Sequence, residues 1–281
     1  HLEPSDEMLN KSRPVFELCL TQLERVGRGT IFCTMNRSRP TVADIRAAKG
    51  TRQLAMVYTE FPEEARAAAE AGIDILSIPT PFWNPAMREA AGDCFVQAGL
   101  LYGYLATTDD YLRAAHDAMV IGADCVYCAA STQVIERLAA EGIPVVGHVG
   151  LIPSRRTWTG GFKAVGKSLE SAKLVYRQVK ELESAGAFAA EIEVVPADIA
   201  TEIAKHTSLV LMSMGAGTGC DAQYLFSCDV LGYTGDHVPR HAKQYRNFAA
   251  EYARLHRERV GAYSEFIADV GDGRYPADEH L

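Results

Sequence analysis

Eight short apolar runs, spaced along the chain from Gln53 and separated by stretches of helical periodicity, constrain the fold more than any other feature of the sequence. The runs are QLAMVY, IDILSI, GLLYGYL, DCVYC, PVVGH, FAAEIEV, LVLMS and DVLGYT. Between them lie PEEARAAAEAG, NPAMREAAGDCFVQAG, DDYLRAAHDAMVIGA, STQVIERLAAEG, KSLESAKLVYRQVKELESAG, PADIATEIAKH and CDAQYLFS. These are rich in helix formers, and several close on the glycine that a helix C-terminus favours. Strands that are apolar all round must be covered on both faces, which alternating helices do for a parallel sheet. Eight such units predict a closed (β/α)8 TIM barrel, an α/β fold for which 281 residues is an ordinary length. The expected organisation is an N-terminal helical segment packed on the barrel over residues 1–50, then the barrel with C-terminal helices over residues 51–281. The first carries PVFELCLTQLERV and TVADIRAAKG. The last helical pattern, from Pro239 to Val270, is long enough to be an extended outer-ring helix or an oligomer contact.

Charge and cysteine content narrow the partners. A net charge of −8 leaves no basic face to offset phosphate, so neither nucleic acid nor an acidic membrane surface is expected. No apolar stretch approaches the ~18 residues that span a bilayer, and no signal-peptide pattern is visible. The seven cysteines, at 19, 33, 94, 125, 128, 220 and 228, are odd in number and sit in apolar segments, which fits a reducing compartment. A cytoplasmic enzyme acting on a small molecule is the expectation. Cys125 and Cys128 have CxxC spacing, but three residues apart on a strand they face opposite ways, and no second ligand pair completes a zinc site.

In such barrels the chemistry sits at the C-terminal ends of the strands. The fifth run ends at His148, and the sixth carries Glu191 and Glu193, two apart and therefore on one side of the strand. Two carboxylates buried together raise at least one pKa unless a cation or donor compensates, which suits a general base or a ligand. Glu193 is the candidate base. Glu191, His148, Ser213 at the end of the seventh run, and the rim phenols Tyr104 and Tyr127 are candidate substrate contacts, with Tyr58 a further phenol and Asp236 and His237 after the eighth run. GAGTG at 215–219 is a weak candidate for an anion cradle at a following helix start. After His148 some eighteen residues pass before the next helical pattern, a long loop on the active-site face. Its Arg155, Arg156 and Lys163 are candidates for steering an anionic substrate. No GxSxG, Walker or HExxH pattern is present.

PVVGHVGLIP, GGFKAVG, EIEVVP, MGAGTGCDAQYLFSCDVLGYTGDHVPRHAKQY and GRYPADEH follow one another from Gly142 to the end, and together they resemble the ketopantoate hydroxymethyltransferase family. The resemblance implies a barrel of the phosphoenolpyruvate/pyruvate type in a homo-oligomer. It also implies a reaction that deprotonates a 2-oxo acid beside its carbonyl and adds a one-carbon unit from methylenetetrahydrofolate, with Mg2+ holding the oxo acid. The family's catalytic glutamate falls on Glu193 and its histidine on His148. Where the family has V-G-D-S this chain has Ile78 to Pro81, where it has the aspartate of A-D-L-P this chain has Tyr104, and where it has K-I-E-G-G this chain has Tyr127, Cys128 and Ala129. The matching carboxylate ligands are thus replaced, and no metal-binding residue is assigned. A lyase or hydrolase of the same barrel type on another oxo acid, and an inactive paralogue, are the alternative readings.

Overall fold

The computed structural model describes residues 39–235 and 238–281. The PVFELCLTQLERV segment and the candidates Asp236 and His237 lie outside the described residues. Eight parallel strands close into a barrel in chain order, from β1 (Leu54–Tyr58) through β2 (Ile75–Pro79), β3 (Phe95–Gly99), β4 (Cys125–Tyr127), β5 (Val145–Gly150), β6 (Ala189–Glu193) and β7 (Val210–Met214) to β8 (Ala222–Phe226), which pairs with β1. The helices, numbered among the described residues, begin with α1 (Val42–Ala48) from the TVADIRAAKG stretch. It is capped by Thr41, whose side chain accepts from the Asp44 amide while Asp44 reaches back to the Thr41 amide. The outer ring holds α2 (Pro62–Ala71), α3 (Pro85–Ala90), α4 (Thr108–Ile121), α5 (Thr132–Ala140), α7 (Leu169–Ser184) and α8 (Ala197–Lys205), with the short α6 (Arg156–Thr159) in the long loop after β5. After β8 come α9 (Ser227–Leu231) and α10 (Phe248–Gly271).

Six of the eight expected strands form where the apolar runs lie; the third and eighth do not. β3 is Phe95–Gly99, drawn from a stretch expected as helix, and GLLYGYL is mostly the loop that follows it. The largely apolar sequence from Phe95 to Leu105, with Gln97 its one polar interruption, hides the end of the strand, because periodicity does not say where a fully buried strand stops. Likewise β8 is Ala222–Phe226, and DVLGYT instead finishes α9 and leads away from it. No helix lies between β7 and β8. The GAGTG segment is a tight connection, and its glycines answer to packing: a Cβ on Gly217 would lie 2.5 Å from Ala197 Cβ, and one on Gly219 would lie 2.0 Å from Thr201 Oγ1, both on α8. With no helix starting after it, the anion cradle is not formed.

Side chains alternate along each strand between two cores. Leu76, Ile78, Val96, Ala98, Val126, Val149, Ile192 and Leu211 face the helices. Leu54, Met56, Ile75, Phe95, Cys125, Val146, Ala189, Val210 and Met212 fill the barrel, whose lower end is closed by Ile45 and Ala48 of α1. Cys125 and Cys128 fall in different cores, as strand alternation predicts, and both are free thiols. The outward positions of β2 to β7 are buried, whereas Ala55 on β1 is exposed and Val57, Gln223 and Leu225 are half-buried. No residue of α10 is buried, although Tyr252, Leu255, Tyr263, Phe266 and Ile267 are all large and apolar.

Candidate active site

The upper layer of the barrel interior is polar where the lower layers are not. The register pairs His148 with Glu191 and Gly150 with Glu193, so the end of β5 lies beside both carboxylates of β6. His148 Nε2 is 2.9 Å from the Leu151 carbonyl oxygen and 3.3 Å from Glu193 Oε2; Nδ1 is 2.7 Å from the Tyr127 hydroxyl and 3.6 Å from Glu191 Oε2. A carbonyl only accepts, so Nε2 carries a proton in either charge state. In the neutral ring Tyr127 donates to Nδ1. In the imidazolium Nδ1 donates and the Tyr127 hydroxyl proton is free to turn elsewhere.

Three residues absent from the candidate set complete the network. Gln97 on β3 donates its amide to Glu191 Oε1 at 2.7 Å and to Ser77 Oγ at 3.1 Å, and Tyr224 on β8 faces the same interior. All three sit at inward positions of strands. Gln97 had a signal, a lone amide inside an apolar run, which is concealed when CFVQAG is read as helix.

Burial dominates the electrostatics. Desolvation raises the Glu191 carboxyl to about 7, even though His148 and the Gln97 amide both favour its charged form. For His148 desolvation acts to lower the pKa, but the hydrogen bond to Glu193 and the charges of Glu191 and Glu193 outweigh it and the net shift is upward. Burial, reinforced by Glu191, drives the Tyr127 and Tyr224 hydroxyls well above the ordinary phenol range, so both remain donors. The folded protein therefore binds more protons than the unfolded chain between the ordinary glutamate value of 4.5 and about 7, and stability falls as pH rises through that window. A shift of this size corresponds to up to about 3 kcal/mol. Thermal unfolding between pH 4.5 and 8 is expected to show a falling Tm for the native chain and a flatter profile for Glu191→Gln; parallel profiles would remove Glu191 as the source.

The polar cluster opens into a cavity of about 390 Å3 at the C-terminal mouth, lined by Tyr58, Tyr127, His148, Glu191, Glu193, Tyr224 and Phe226 among others. Four of the sequence candidates, Glu193, Glu191, His148 and Tyr127, thus meet at one place. Tyr104 does not join them: it lies in the loop beyond β3 and is 83% exposed, and Gly99 occupies the strand end instead. Ser213 is buried at an outward position of β7, where its hydroxyl accepts from the Ala216 amide and so closes the turn rather than facing the cavity. Arg155 spends its guanidinium on the Ala129 and Ala130 carbonyls, tying the long loop to the end of β4. Arg156 lies over the Phe162 ring.

Mg2+ prefers near-octahedral oxygen donors, with carboxylates and waters in its shell. The ends of β2 and β3 offer Pro79 and Gly99, which bring no side-chain oxygen. Of the carboxylates that line the cavity, Glu191 and Glu193 both face His148, and Asp229 accepts from the Thr234 hydroxyl. This donor set does not fit Mg2+, and among the described residues no group of three or more His, Cys, Asp and Glu has the geometry to hold a metal.

Backbone conformation fixes where the carboxylates stand. Val194, directly after Glu193, has φ of 48°, and it is the one described residue other than glycine with positive φ. A β-branched residue in this region is strained. It is held there by its amide bonding to the Met214 carbonyl at 2.8 Å and its carbonyl accepting from Val165 at 3.1 Å. The turn it makes ends β6 at the cavity rim.

The family model for ketopantoate hydroxymethyltransferase matches residues 84–278. A 3-methyl-2-oxobutanoate hydroxymethyltransferase of Thermus thermophilus is 34% identical over 266 residues, covering 86% of this chain and 99% of the relative. That of Pyrobaculum calidifontis is 32% identical over 270 residues, covering 88% and 99%. Among solved structures, oxaloacetate acetylhydrolase in complex with 3,3-difluorooxalacetate aligns with a TM-score of 0.52 at 10% identity, covering 83% of this chain and 97% of that one. Phosphoenolpyruvate phosphomutase from Streptomyces platensis subsp. rosaceus aligns at 0.50 and 15% identity, covering 86% and 92%. The structural likenesses carry the fold, a closed (β/α)8 barrel; the sequence matches carry more, and by them the chain belongs to the ketopantoate hydroxymethyltransferase family of enzymes.

Proposed function

We propose that this enzyme makes or breaks a carbon–carbon bond beside the carbonyl of a 2-oxo acid by way of an enolate. The observation that carries the reading is the meeting of Glu193, His148 and Tyr127 at one wall of a largely apolar cavity. Glu193, whose side chain is 14% exposed, is the base. It takes the proton from the carbon next to the carbonyl, and the electron pair moves onto the carbonyl oxygen. His148, as the imidazolium, donates Nδ1–H to the Tyr127 oxygen, and Tyr127 turns its own proton to the developing oxyanion. Donors placed in advance in a desolvated site give the main electrostatic gain in such steps. Glu191, one layer deeper and held by Gln97, supports the charge on His148. The carbanion carbon attacks a one-carbon electrophile in the forming direction and is the leaving fragment in the reverse. Methylenetetrahydrofolate, implied by the family, would supply that electrophile; the proton transfer and the stabilisation of the enolate rest on this chain's own residues.

The reading includes a homo-oligomer in a reducing, cytoplasmic setting. The bare apolar face of α10 and the partly open outer face of β1 and β8 support the first. The free thiols at Cys94, Cys125, Cys128, Cys220 and Cys228 support the second. Proton NMR of 3-methyl-2-oxobutanoate in D2O tests the chemistry. Enzyme-dependent loss of the C3–H signal, unchanged by a chelator, is expected. Exchange no faster than without enzyme would sink the enolate reading, and exchange abolished by the chelator would sink its metal-free form.

A further inference from the structure

The cavity has two unlike walls, and barrel topology sets them opposite each other. Tyr127, His148, Glu191 and Glu193 come from β4, β5 and β6. Tyr58, Tyr224 and Phe226 come from β1 and β8, across a closed ring of eight strands. The Tyr58 and Phe226 rings stack with centroids 4.5 Å apart, and Tyr224 lies 5.8 Å from Phe226. The Tyr58 hydroxyl is engaged by Glu60 at 2.5 Å. What Tyr58 and Phe226 present to the cavity is therefore ring surface. Phe226 remains 38% exposed, an apolar ring left open at the mouth of the site. Met214 extends the same apolar lining.

The volume is also larger than a small 2-oxo acid fills. Cavities of ~300–1,000 Å3 enclose drug-sized ligands; at about 390 Å3 this one has room beyond a 2-oxo acid of a few carbons. Resting on the enolate reading above, we infer that the substrate is a 2-oxo acid with an aromatic or similarly flat, bulky apolar side chain. Its carbonyl lies at Tyr127 and Glu193, and its side chain lies against Phe226 and Tyr58. A ring against aromatic neighbours gains from offset or edge contacts in addition to the burial of its area.

Binding of 2-oxo acids that have no proton beside the carbonyl tests the side-chain subsite apart from the chemistry. Isothermal titration with phenylglyoxylate and with trimethylpyruvate compares a ring with a compact aliphatic group, and neither can enolise. The native enzyme is expected to bind phenylglyoxylate about tenfold more tightly, and Phe226→Val and Tyr58→Leu are each expected to cut that ratio to within about threefold. Circular dichroism checks that the variants are folded. Equal affinities, tighter binding of trimethylpyruvate, no binding of either compound, or a ratio that survives in both folded variants would each overturn the inference. Failure of the enolate reading appears separately, as absence of C3–H exchange on an enolisable acid.

Discussion

Glu193→Gln is expected to lower the rate of C3–H exchange, and of turnover on the true substrate, by about 10²–10⁴-fold, the span general-base catalysis typically contributes. The substitution keeps the size of the side chain and removes the carboxylate proposed to accept the proton. Glu193 is also the less buried of the two carboxylates, with 14% of its side chain exposed against 5% for Glu191. The variant should therefore unfold within a few degrees of the native chain, with KM changed far less than kcat, because what is lost acts in the transition state. Glu191→Gln is the informative contrast. It retains the Gln97 contact but removes a charge facing His148, so its effect should fall on the pH profile first. Exchange by Glu193→Gln within tenfold of native would move the base elsewhere, with Glu191, raised to about 7, the next group to test.

The parts of this site legible in the sequence are those where a polar residue interrupts an apolar strand at a position whose frame is unambiguous. Glu191 and Glu193 are two apart in a run bounded by glycine and proline, so their common side follows from strand geometry. His148 follows from the end of a run. Gln97 has the same character, but the Gly99 that ends its strand also reads as the close of a helix before Leu100 and Leu101, and a misplaced strand end moves the supposed rim from Gly99 to Tyr104. Tyr224 is concealed in the same way, since AQYLF has the composition of either element. Ser213 illustrates a second limit. It ends a strand, yet parity sends it outward, and the interior neighbours are Met212 and Met214. Hydrogen-bond partners are the least legible layer, because the Tyr127 to His148 contact depends on rotamers set by the whole interior.

The rigidity of the β5–β6 edge leads to the largest stability effect. Gly150→Ala is expected to destabilise the fold by about 3 kcal/mol, or roughly 5–10 °C in Tm, and to cost activity beyond what partial unfolding explains. Gly150 has φ of 85°, and a Cβ there would stand 2.4 Å from the Glu193 carbonyl oxygen and 2.7 Å from Val195 Cγ2. The carbonyl cannot swing away cheaply, since it accepts from the Leu151 amide at 2.9 Å and the next residue, Val194, is tied to Met214. Whatever gives way shifts the residue that carries the base, and a displacement near 1 Å is enough to cost ~10²-fold in rate. Gly103→Ala isolates the backbone part. It has φ of 93° with nothing within 4 Å of the added Cβ, so only the backbone penalty of about 1–2 kcal/mol applies. Calorimetry on both variants, with exchange rates measured well below each Tm, separates the two costs. Equal destabilisation would mean that the close approach of β5 to Glu193 relaxes freely and does not hold the site in place.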